Sequence, residues 1–318
     1  MLRTPGNELS MTKVFIDGSA GTTGLRIRER LEGRKDLELL VLPEEIRKDP
    51  SARADALNTA AVSFLCLPDD AAREAVSLVT SPDAVIIDTS TAHRIAEGWT
   101  YGFPELKGQR DEIVSSRRIA NPGCHASGLI ALVAPLIQAG LLKADVRLSC
   151  FSLTGYSGGG KKMIAAYEAA ELPELFHAPR QYALSQSHKH LPEMAVLCGL
   201  RHAPVFCPVV APYYAGMEVT VPLTPSETLA GPDDIRQVYR EYYASGLVRF
   251  TESPDEDGFL SAGAFAGRDD MEISVHGTQE RILLISRFDN LGKGASGAAI
   301  QNMNLVLGAD ETLGLIRG

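Results

Sequence analysis

One of the five cysteines lies where a thiol is well placed to react. Cys124 follows an Asn-Pro-Gly turn at 121–123 and precedes the apolar run 126–142, whereas the other four cysteines lie within apolar segments. The run predicts a buried helix that starts near Ala126, and a thiol at a helix N-terminus is close to free amides and the positive end of the helix dipole. We expect the pKa of Cys124 to fall from about 8.5 toward neutrality, which produces the nucleophilic thiolate. A buried structural cysteine is the alternative.

A pair of imidazoles further along the chain could serve as the base for such a thiol. His188 and His190 flank Lys189 and form the only close pair among the seven histidines. Alternating histidines in a strand would point to one face, which also suits a metal ion. The sequence shows no third ligand, and zinc would quench the nucleophile, so we predict no metal. A solvated loop histidine is the alternative for each residue.

The glycine-rich segment 155–162 indicates a site for an anion. It follows a predicted strand and precedes a predicted helix, and its three successive glycines leave backbone amides exposed. Lys161 and Lys162 add positive charge, which favours a phosphate or carboxylate. The segment lacks the spacing of a nucleoside-triphosphate loop, so that class of enzyme is a poor fit.

An earlier glycine-rich turn indicates a dinucleotide. Gly18, Gly21 and Gly24 follow the predicted strand 12–17 and open a predicted helix, where glycine allows close approach of a pyrophosphate to the helix N-terminus. The second predicted strand, 37–42, ends without the carboxylate that usually binds the ribose of NAD. Arg47 and Lys48 beyond it could receive the 2′-phosphate of NADP, although a solvated charged loop explains them equally well.

The elements that must position these residues fall into two classes. Up to residue 124, short apolar strands alternate with helices, which predicts a Rossmann-like parallel sheet covered on both faces. Beyond residue 124 the strands are longer and alternate in polarity, which predicts an α+β unit with an antiparallel or mixed sheet. The chain closes with a Gly/Ala-rich helix at 290–308. A length of 318 residues also favours two domains.

Composition and charge narrow the class of protein. The net charge of −9 argues against a general nucleic-acid or anionic-membrane surface. The sequence has no apolar run of membrane-spanning length and no signal peptide, and its odd number of unpaired cysteines suits a reducing cytoplasm. Residues 1–10 are expected to form a disordered lead or an extended start.

Several motifs, in order, resemble the N-acetyl-γ-glutamyl-phosphate reductase family, and in particular its shorter form. They comprise GSAGTTG at 18–24, YGFPEL at 101–106, NPGC at 121–124, SGGG at 157–160, HKHLPE at 188–193 and GKGASG at 292–297. The resemblance runs from about residue 12 to the C-terminus. A more distant resemblance is to aspartate-semialdehyde dehydrogenase.

The resemblance implies an NADPH-dependent reduction of N-acetyl-γ-glutamyl phosphate to the semialdehyde and phosphate, in arginine biosynthesis. It implies that Cys124 is the nucleophile and His188 the acid/base. It also implies a cofactor domain made of 11–123 plus 292–318, and a catalytic and oligomerisation domain at 124–291. The remaining expected site residues fall into two groups. Those for substrate or phosphate are Ser157, Gly158, Gly159, Lys161, His190 and Arg94, and those for NADP are Gly18, Ser19, Ala20, Gly21, Thr22, Thr23, Gly24, Asn290, Gly292, Gly294, Ser296 and Gln301.

This sequence departs from the family pattern at two positions. Lys189 replaces an arginine, and His125 stands where a tyrosine is common. The alternative to a phosphate-binding role for Arg94 is a structural ion pair. The alternative to a cofactor-binding role for the closing Gly/Ala segment is helix packing. The rival functions are another acyl-phosphate reductase, such as aspartate-semialdehyde dehydrogenase, and an inactive NADP-binding sensor or assembly protein. The family suggests a homodimer or homotetramer formed through the second sheet.

Overall fold

A computed structural model describes residues 11–254 and 256–318, so the expectation for residues 1–10 lies outside the described residues. The first sheet has six strands in the order β2-β1-β3-β4-β6-β5, and every neighbouring pair is parallel. Its strands are β1 (Thr12–Asp17), β2 (Leu37–Leu40), β3 (Val62–Leu65), β4 (Val85–Asp88), β5 (Thr100–Tyr101) and β6 (Arg118–Ala120). The predicted Rossmann-like sheet is confirmed.

Helices cover both faces of this sheet. They are α1 (Thr22–Leu31), α2 (Pro50–Thr59), α3 (Asp69–Ser77) and α4 (Gln109–Ser115), together with the closing helix α9 (Gly297–Val306). All four residues of β3 are buried, as expected for a strand that is covered on both sides. Ile300 and Met303 of α9 pack in the same apolar cluster as Val14 and Phe64, so the end of the chain returns to the first sheet.

The second sheet has seven strands in the order β11-β12-β13-β10-β7-β9-β8, and it is mixed. Pairs β7/β9 and β11/β12 are parallel, and the other neighbours are antiparallel. Its strands are β7 (Ser149–Gly155), β8 (Arg180–Gln181), β9 (Val205–Ala211), β10 (Met217–Leu223), β11 (Val248–Phe250), β12 (Met271–Thr278) and β13 (Arg281–Phe288). The helices between and before them are α5 (Cys124–Gln138), α6 (Gly160–Tyr167), α7 (Leu191–Cys198) and α8 (Pro232–Tyr242).

Helix α5 forms the centre of the second core. It is apolar on all sides and is buried from His125 to Leu136, which is typical of a helix enclosed by other elements. Strand β10 alternates buried and half-buried residues, with Val219 and Val221 in the core that α5 shares. The opposite face of the sheet is open, since Phe151 is 52% and Val205 57% exposed.

Two details differ from the sequence-based prediction. Helix α5 begins at Cys124 itself rather than near Ala126. The predicted closing helix begins as a π-helical turn, Gly292–Ser296, before α9. A side chain at Gly292 would overlap the carbonyl oxygen of Arg268, so this glycine serves a close backbone approach. Within 11–254 and 256–318, no helix is long and apolar enough to cross a membrane.

Candidate active site

The turn before Cys124 is held from three directions. The Asn121 amide donates to the carbonyl of Asp88 at 2.7 Å, and its side chain donates to the carbonyl of Ala295 at 3.0 Å. The Gly123 amide donates to Glu193 Oε2 at 3.2 Å. These bonds join strand β4, the closing segment and helix α7 around one turn. They fix Cys124 as the first residue of α5, where its thiol faces a cavity.

A buried ion pair supports this turn. Arg94 donates to Glu193 Oε1 at 2.6 Å and to the carbonyl of Asn121 at 3.1 Å, and Tyr101 donates to Glu193 Oε2 at 2.9 Å. A side chain at Gly123 would come within 2.5 Å of Glu193 Oε1 and 2.6 Å of His190 Nε2, so a larger residue here would displace the ion pair. Arg94 lines the cavity, yet its guanidinium is already engaged with the turn. The ion-pair reading of Arg94 therefore describes its place better than a free phosphate ligand does.

The electrostatics at Cys124 differ from the expectation. Burial raises the pKa of the Cys124 thiol above its ordinary value, although Arg94, the His125 amide and Lys189 oppose the rise. Glu193 adds to the rise through its negative charge. The predicted fall of this pKa toward neutrality is therefore wrong. The position of Cys124 at the start of a buried helix was predicted correctly, but the sequence did not reveal how deeply the thiol is buried.

Three imidazoles stand together beside Cys124. The ring centroids of His125, His188 and His190 lie 4.7 to 5.5 Å apart. The backbone amide of His190 donates to His188 Nδ1 at 3.2 Å, so the neutral ring of His188 carries its proton on Nε2. Burial, with Lys189 and Arg94, lowers the pKa of His188 to about 4. His188 therefore presents an N–H donor at neutral pH. Its segment is a turn before α7 and not the strand considered from the sequence.

His190 is the least satisfied member of this cluster. Its side chain is buried, and among the described residues its Nδ1 has no hydrogen-bond partner. Its Nε2 lies 3.9 Å from Glu193 Oε1. Burial and the positive charge of Arg94 lower its pKa well below the ordinary value, so the ring is neutral. An orphaned buried acceptor or donor is costly unless a ligand completes it.

His125 has a definite place that the sequence did not reveal. Its Nδ1 lies 2.6 Å from Ser152 Oγ and its Nε2 lies 2.6 Å from Tyr182 Oη. Burial lowers the pKa of His125 to about 3, with His188 and Lys189 adding to the effect. The ring is thus neutral and fully bonded, unlike its two neighbours.

One cavity of about 370 Å³ collects most of the predicted catalytic and substrate residues. Predicted residues that line it with Cys124 are Arg94, Ser157, Gly158, Gly159, His188, His190, Thr22, Thr23, Asn290 and Gly294. Asn290 donates to Ser157 Oγ at 2.9 Å and accepts from the Gly216 amide at 3.0 Å, which ties the second glycine loop to the closing segment. The cavity also contains Tyr182 and Thr154, for which the sequence carried no motif.

A second cavity, of about 420 Å³, lies at the first glycine loop. It is lined by Gly18, Ser19, Ala20 and Gly21 together with Arg47, Lys48 and Lys161. Gly18 has φ +85°, and a side chain there would overlap the carbonyl oxygen of Cys66; one at Gly24 would come within 2.5 Å of the Gly18 carbonyl oxygen. The glycines thus keep a cradle open at the start of α1, which fits the pyrophosphate of a dinucleotide.

Five predicted residues lie elsewhere, and one of them is Gly24, which is buried in α1 and lines neither cavity. Lys161 lines the second cavity and not the one at Cys124, so its charge is directed to the glycine loop. Gly292, Ser296 and Gln301 are buried and line neither cavity. Gln301 instead bonds Lys293 and Glu105, and Ser296 donates to the carbonyl of Leu291. Over the residues that the structure describes, no cluster of His, Cys, Asp or Glu is arranged to hold a metal ion.

Two family models match this chain. Residues 43–115 match the semialdehyde dehydrogenase NAD binding domain, and residues 124–290 match the semialdehyde dehydrogenase dimerisation domain. Solved structures with the same fold include aspartate semialdehyde dehydrogenase II from Vibrio cholerae, complexed with ASA (TM-score 0.71, 16% identity, 94% of this chain and 98% of that one). Another is the Candida albicans aspartate semialdehyde dehydrogenase with NADP (TM-score 0.67, 14% identity, 96% and 100%).

Curated relatives are much closer in sequence. The N-acetyl-gamma-glutamyl-phosphate reductase of Brucella ovis is 47% identical over 306 residues, which span 93% of this chain and 99% of the relative. That of Sinorhizobium medicae is 46% identical over 307 residues, with the same coverage. The predicted family resemblance is confirmed over nearly the whole chain. This chain therefore belongs to the N-acetyl-gamma-glutamyl-phosphate reductase family, within the semialdehyde dehydrogenases.

Proposed function

We propose that this protein reduces N-acetyl-γ-glutamyl phosphate to N-acetylglutamate semialdehyde and phosphate, with NADPH as reductant, in arginine biosynthesis. The observation that carries the proposal is the shared cavity of Cys124 and His188, which adjoins both glycine loops. A thiol at a helix start, an N–H donor and an anion-binding loop are the parts that acyl-phosphate reduction needs.

The reaction begins with attack of the Cys124 thiolate on the acyl carbon. The new C–S bond replaces the C–O bond to phosphate, so phosphate leaves and a thioester remains. Because burial raises the pKa of Cys124, the resting group is a thiol and must lose a proton before the first attack. Each later turnover begins from the thiolate that the preceding turnover releases.

The leaving phosphate lies against the second glycine loop. Ser157, Gly158 and Gly159 line the cavity from a 3₁₀ turn (Tyr156–Gly159) that leads into helix α6. The Ser157 amide donates to the carbonyl of Tyr214, so this residue offers its hydroxyl rather than its amide. Amides at a helix N-terminus suit an anion. We assign Lys161 to the cofactor side, because it lines the other cavity.

When bound, NADPH supplies the hydride that reduces the thioester. The glycine cradle at Gly18–Gly24, with Arg47, Lys48 and Lys161, would hold its phosphates, while Thr22, Thr23, Asn290 and Gly294 line the side toward Cys124. Both sets fit the group in shape and charge.

His188 stabilises the negative oxygen that forms on the acyl carbon. Its Nε2–H is free of hydrogen bonds within the described residues, whereas Nδ1 is fixed by the His190 amide. After reduction, the tetrahedral oxyanion collapses to the aldehyde and expels the Cys124 thiolate, so this step transfers no proton. The one proton that the overall reaction consumes is taken up by the leaving phosphate. Hydrogen-bond donation by His188 is therefore sufficient, and the general acid/base role predicted from the family is not required at this step.

The reverse reaction offers a direct test. Purified protein is mixed with N-acetylglutamate semialdehyde, NADP and phosphate, and NADPH absorbance is followed. We expect phosphate-dependent NADPH formation that Cys124→Ala abolishes and that the matched variant Cys207→Ala leaves intact. No phosphate-dependent signal, or an undiminished signal in Cys124→Ala, would contradict the proposal.

A second substrate tests the runner-up. Aspartate semialdehyde in the same assay would give the faster phosphate-dependent reaction if the protein were an aspartate-semialdehyde dehydrogenase. An inactive NADP-binding sensor would bind NADP but turn over neither aldehyde. The intact set of Cys124, His188 and His190 in one cavity favours an active enzyme.

We propose a cytoplasmic homo-oligomer, a dimer or tetramer, built through the open face of the second sheet. Phe151, Val205 and Leu283 on that face are 52%, 57% and 40% exposed. The matched family model for this region is a dimerisation domain. Light scattering after chromatography should give a multiple of the chain mass, and Phe151→Arg should lower it. The division into 11–123 plus 292–318 and 124–291 is part of the same proposal, supported by the packing of α9 on the first sheet.

A further inference from the structure

A chain of three side chains crosses from the buried sheet to the wall of the catalytic cavity. It runs from Ser152 on β7 through His125 on α5 to Tyr182, with both links 2.6 Å long. Ser152 is 1% and His125 3% exposed, and Ser152 does not line the cavity. Tyr182 does line it, together with Cys124, and its ring centroid lies 6.0 Å from that of His188.

The direction of the protons along this chain follows from the partners available. His125 is neutral, so one ring nitrogen donates and the other accepts. Ser152 Oγ has no hydrogen bond other than the one to His125 within the described residues. If His125 Nδ1 donated to it, the buried Ser152 proton would lack an acceptor, which costs about 1–3 kcal/mol.

The opposite direction satisfies every buried proton. The Ser152 hydroxyl donates to His125 Nδ1, so the ring proton lies on Nε2 and is donated to Tyr182 Oη. The Tyr182 hydroxyl, whose oxygen already accepts a bond, then directs its own proton into the cavity. Burial, with a smaller contribution from Cys124, raises the pKa of Tyr182, so the phenol stays protonated and can donate.

We propose that Ser152 and His125 are positioning residues that make Tyr182 a hydrogen-bond donor to the reacting centre, beside the Nε2–H of His188. The Tyr182 proton would stabilise the Cys124 thiolate once the thiol has lost its proton, and the acyl oxyanion during turnover. Two donors that converge on one oxygen resemble the usual arrangement for stabilising such an oxyanion. The stabilisation of the acyl oxyanion rests on the proposed reductase function. The orientation of the Tyr182 hydroxyl and its effect on the Cys124 thiolate do not.

The arrangement also explains why an imidazole serves at position 125. A neutral imidazole accepts a hydrogen bond at one ring nitrogen and donates one from the other. Phenylalanine or leucine would fill the same space without fixing the direction. The buried Ser152 thereby influences a group in the cavity that it does not contact.

A double-mutant cycle separates this role from simple packing. Tyr182→Phe removes the donor and should lower kcat about hundredfold, with a smaller effect on KM. Ser152→Ala should lower kcat roughly tenfold in the parent, as losses of supporting partners do, but less than about twofold when Tyr182 is already phenylalanine. An equal effect of Ser152→Ala in both backgrounds, or no effect in either, would overturn the proposal.

A matched control keeps folding and function apart. Ser286 on β13 is also fully buried and donates to the carbonyl of Gly128, at 3.3 Å. Ser286→Ala should lower the thermal midpoint much as Ser152→Ala does, yet leave kcat unchanged. A loss of kcat in Ser286→Ala equal to that in Ser152→Ala would show that any buried serine matters, and so would contradict the assigned role.

Alkylation of Cys124 by iodoacetamide provides a readout that needs no substrate. At a fixed pH near neutrality, Tyr182→Phe should slow alkylation about tenfold, since it removes a hydrogen bond to a charged group. Ser152→Ala should slow it less and should add nothing to Tyr182→Phe. If the parent lacks reductase activity but the variants show this pattern of alkylation rates, the proposed function is wrong and the positioning role of Ser152 and His125 is retained. If the parent reduces the acyl phosphate but Tyr182→Phe and Ser152→Ala leave the alkylation rate unchanged, the proposed role of Ser152, His125 and Tyr182 is wrong.

Discussion

Two clusters of buried polar side chains in this protein differ in how completely they are paired. In the first, the Lys293 ammonium donates to both carboxylate oxygens of Glu105 at 2.8 Å and to Gln301 at 2.6 Å. Gln301 in turn donates to Glu105 and to Glu311. In the second, the histidine cluster of His125, His188 and His190, His190 Nδ1 and His188 Nε2 have no partner among the residues described.

The difference separates structural from functional polar groups. A buried charge with three partners for its three protons is complete and has no capacity left for a ligand. A buried imidazole with a free nitrogen is unstable alone and is completed when a ligand arrives. Each cluster has members in a motif of the family, His188 and His190 in HKHLPE and Lys293 in GKGASG. Sequence motifs alone therefore do not distinguish these two uses.

Within these two clusters, the largest expected effect on catalysis is at His188. Replacement by glutamine removes the cavity-facing Nε2–H in its present position while the fold is retained. We expect kcat to fall by about a thousandfold, within the range for loss of an essential donor or acid/base group. Steady-state kinetics together with a thermal melt would check this. A fall of less than about threefold would place His188 among the structural groups.

Lys293 should show the reverse pattern. Lys293→Met leaves Glu105 buried without its cation, which should lower the free energy of unfolding by roughly 3–5 kcal/mol. A double variant, Lys293→Met with Glu105→Leu, should recover most of that loss because no charge is left unpaired. Urea unfolding measures both values. If the single variant unfolds like the parent, the paired cluster is not stabilising in the way described.

Acid should weaken the fold through the histidine cluster. Folding lowers the pKa of His125 from 6.5 to about 3 and that of His188 to about 4. Each ring therefore binds its proton more readily in the unfolded chain. Stability is intact above about pH 6.5 and is lost as pH falls through the window from 6.5 toward 4 and then 3.

The slope of this loss gives a test. Each unfolded-state proton contributes about 1.4 kcal/mol per pH unit within that window. Urea unfolding at pH 7, 6 and 5 should show a falling midpoint, and His125→Gln should reduce the slope by about one proton. An identical slope in that variant would mean that the His125 pKa is not depressed by folding.

The smallest effect should come from a charge at the cofactor cavity. Lys161 is exposed, makes no salt bridge within 11–254 and 256–318, and lines the cavity of the first glycine loop. Lys161→Ala should weaken NADP binding about threefold to fivefold, as expected for one exposed charge contact. Fluorescence or calorimetric titration would measure it, with Lys162→Ala as the neighbouring control. Equal effects of both variants on NADP binding would contradict a specific role of Lys161 at the cofactor cavity.

Much of this architecture could be predicted because it depends on local patterns. The glycine turn at Gly18–Gly24, the helix start at Cys124 and the alternating strands after it are encoded within a few residues each. The buried environment of Cys124 could not be predicted, because Glu193, Arg94 and Tyr101 reach it from distant parts of the chain. For the same reason the sequence did not reveal that Gln301 lines neither cavity and that Lys161 lines the cavity of the first glycine loop. It also left His125 without a role.

The missed partners follow a common physical rule. Tyr182 and Ser152 carry no motif. Ser152 lies on β7 and Tyr182 directly follows β8, so only the folded second sheet brings both to His125. A sequence pattern indicates which face of an element is buried, but not which polar group from another element meets it. The hydrogen bonds between distant parts of the chain therefore could not be predicted from the sequence, although the secondary-structure elements that make them could.

Trapping the acyl-enzyme tests the central claim most directly. The protein is incubated with N-acetyl-γ-glutamyl phosphate in the absence of NADPH, quenched in acid and examined by intact and peptide mass spectrometry. Our account predicts one N-acetylglutamyl group per chain, located on Cys124, which hydroxylamine removes and which Cys124→Ala lacks. Absence of the adduct in a preparation that turns over, or its presence on another cysteine, would contradict the role of Cys124 as the nucleophile.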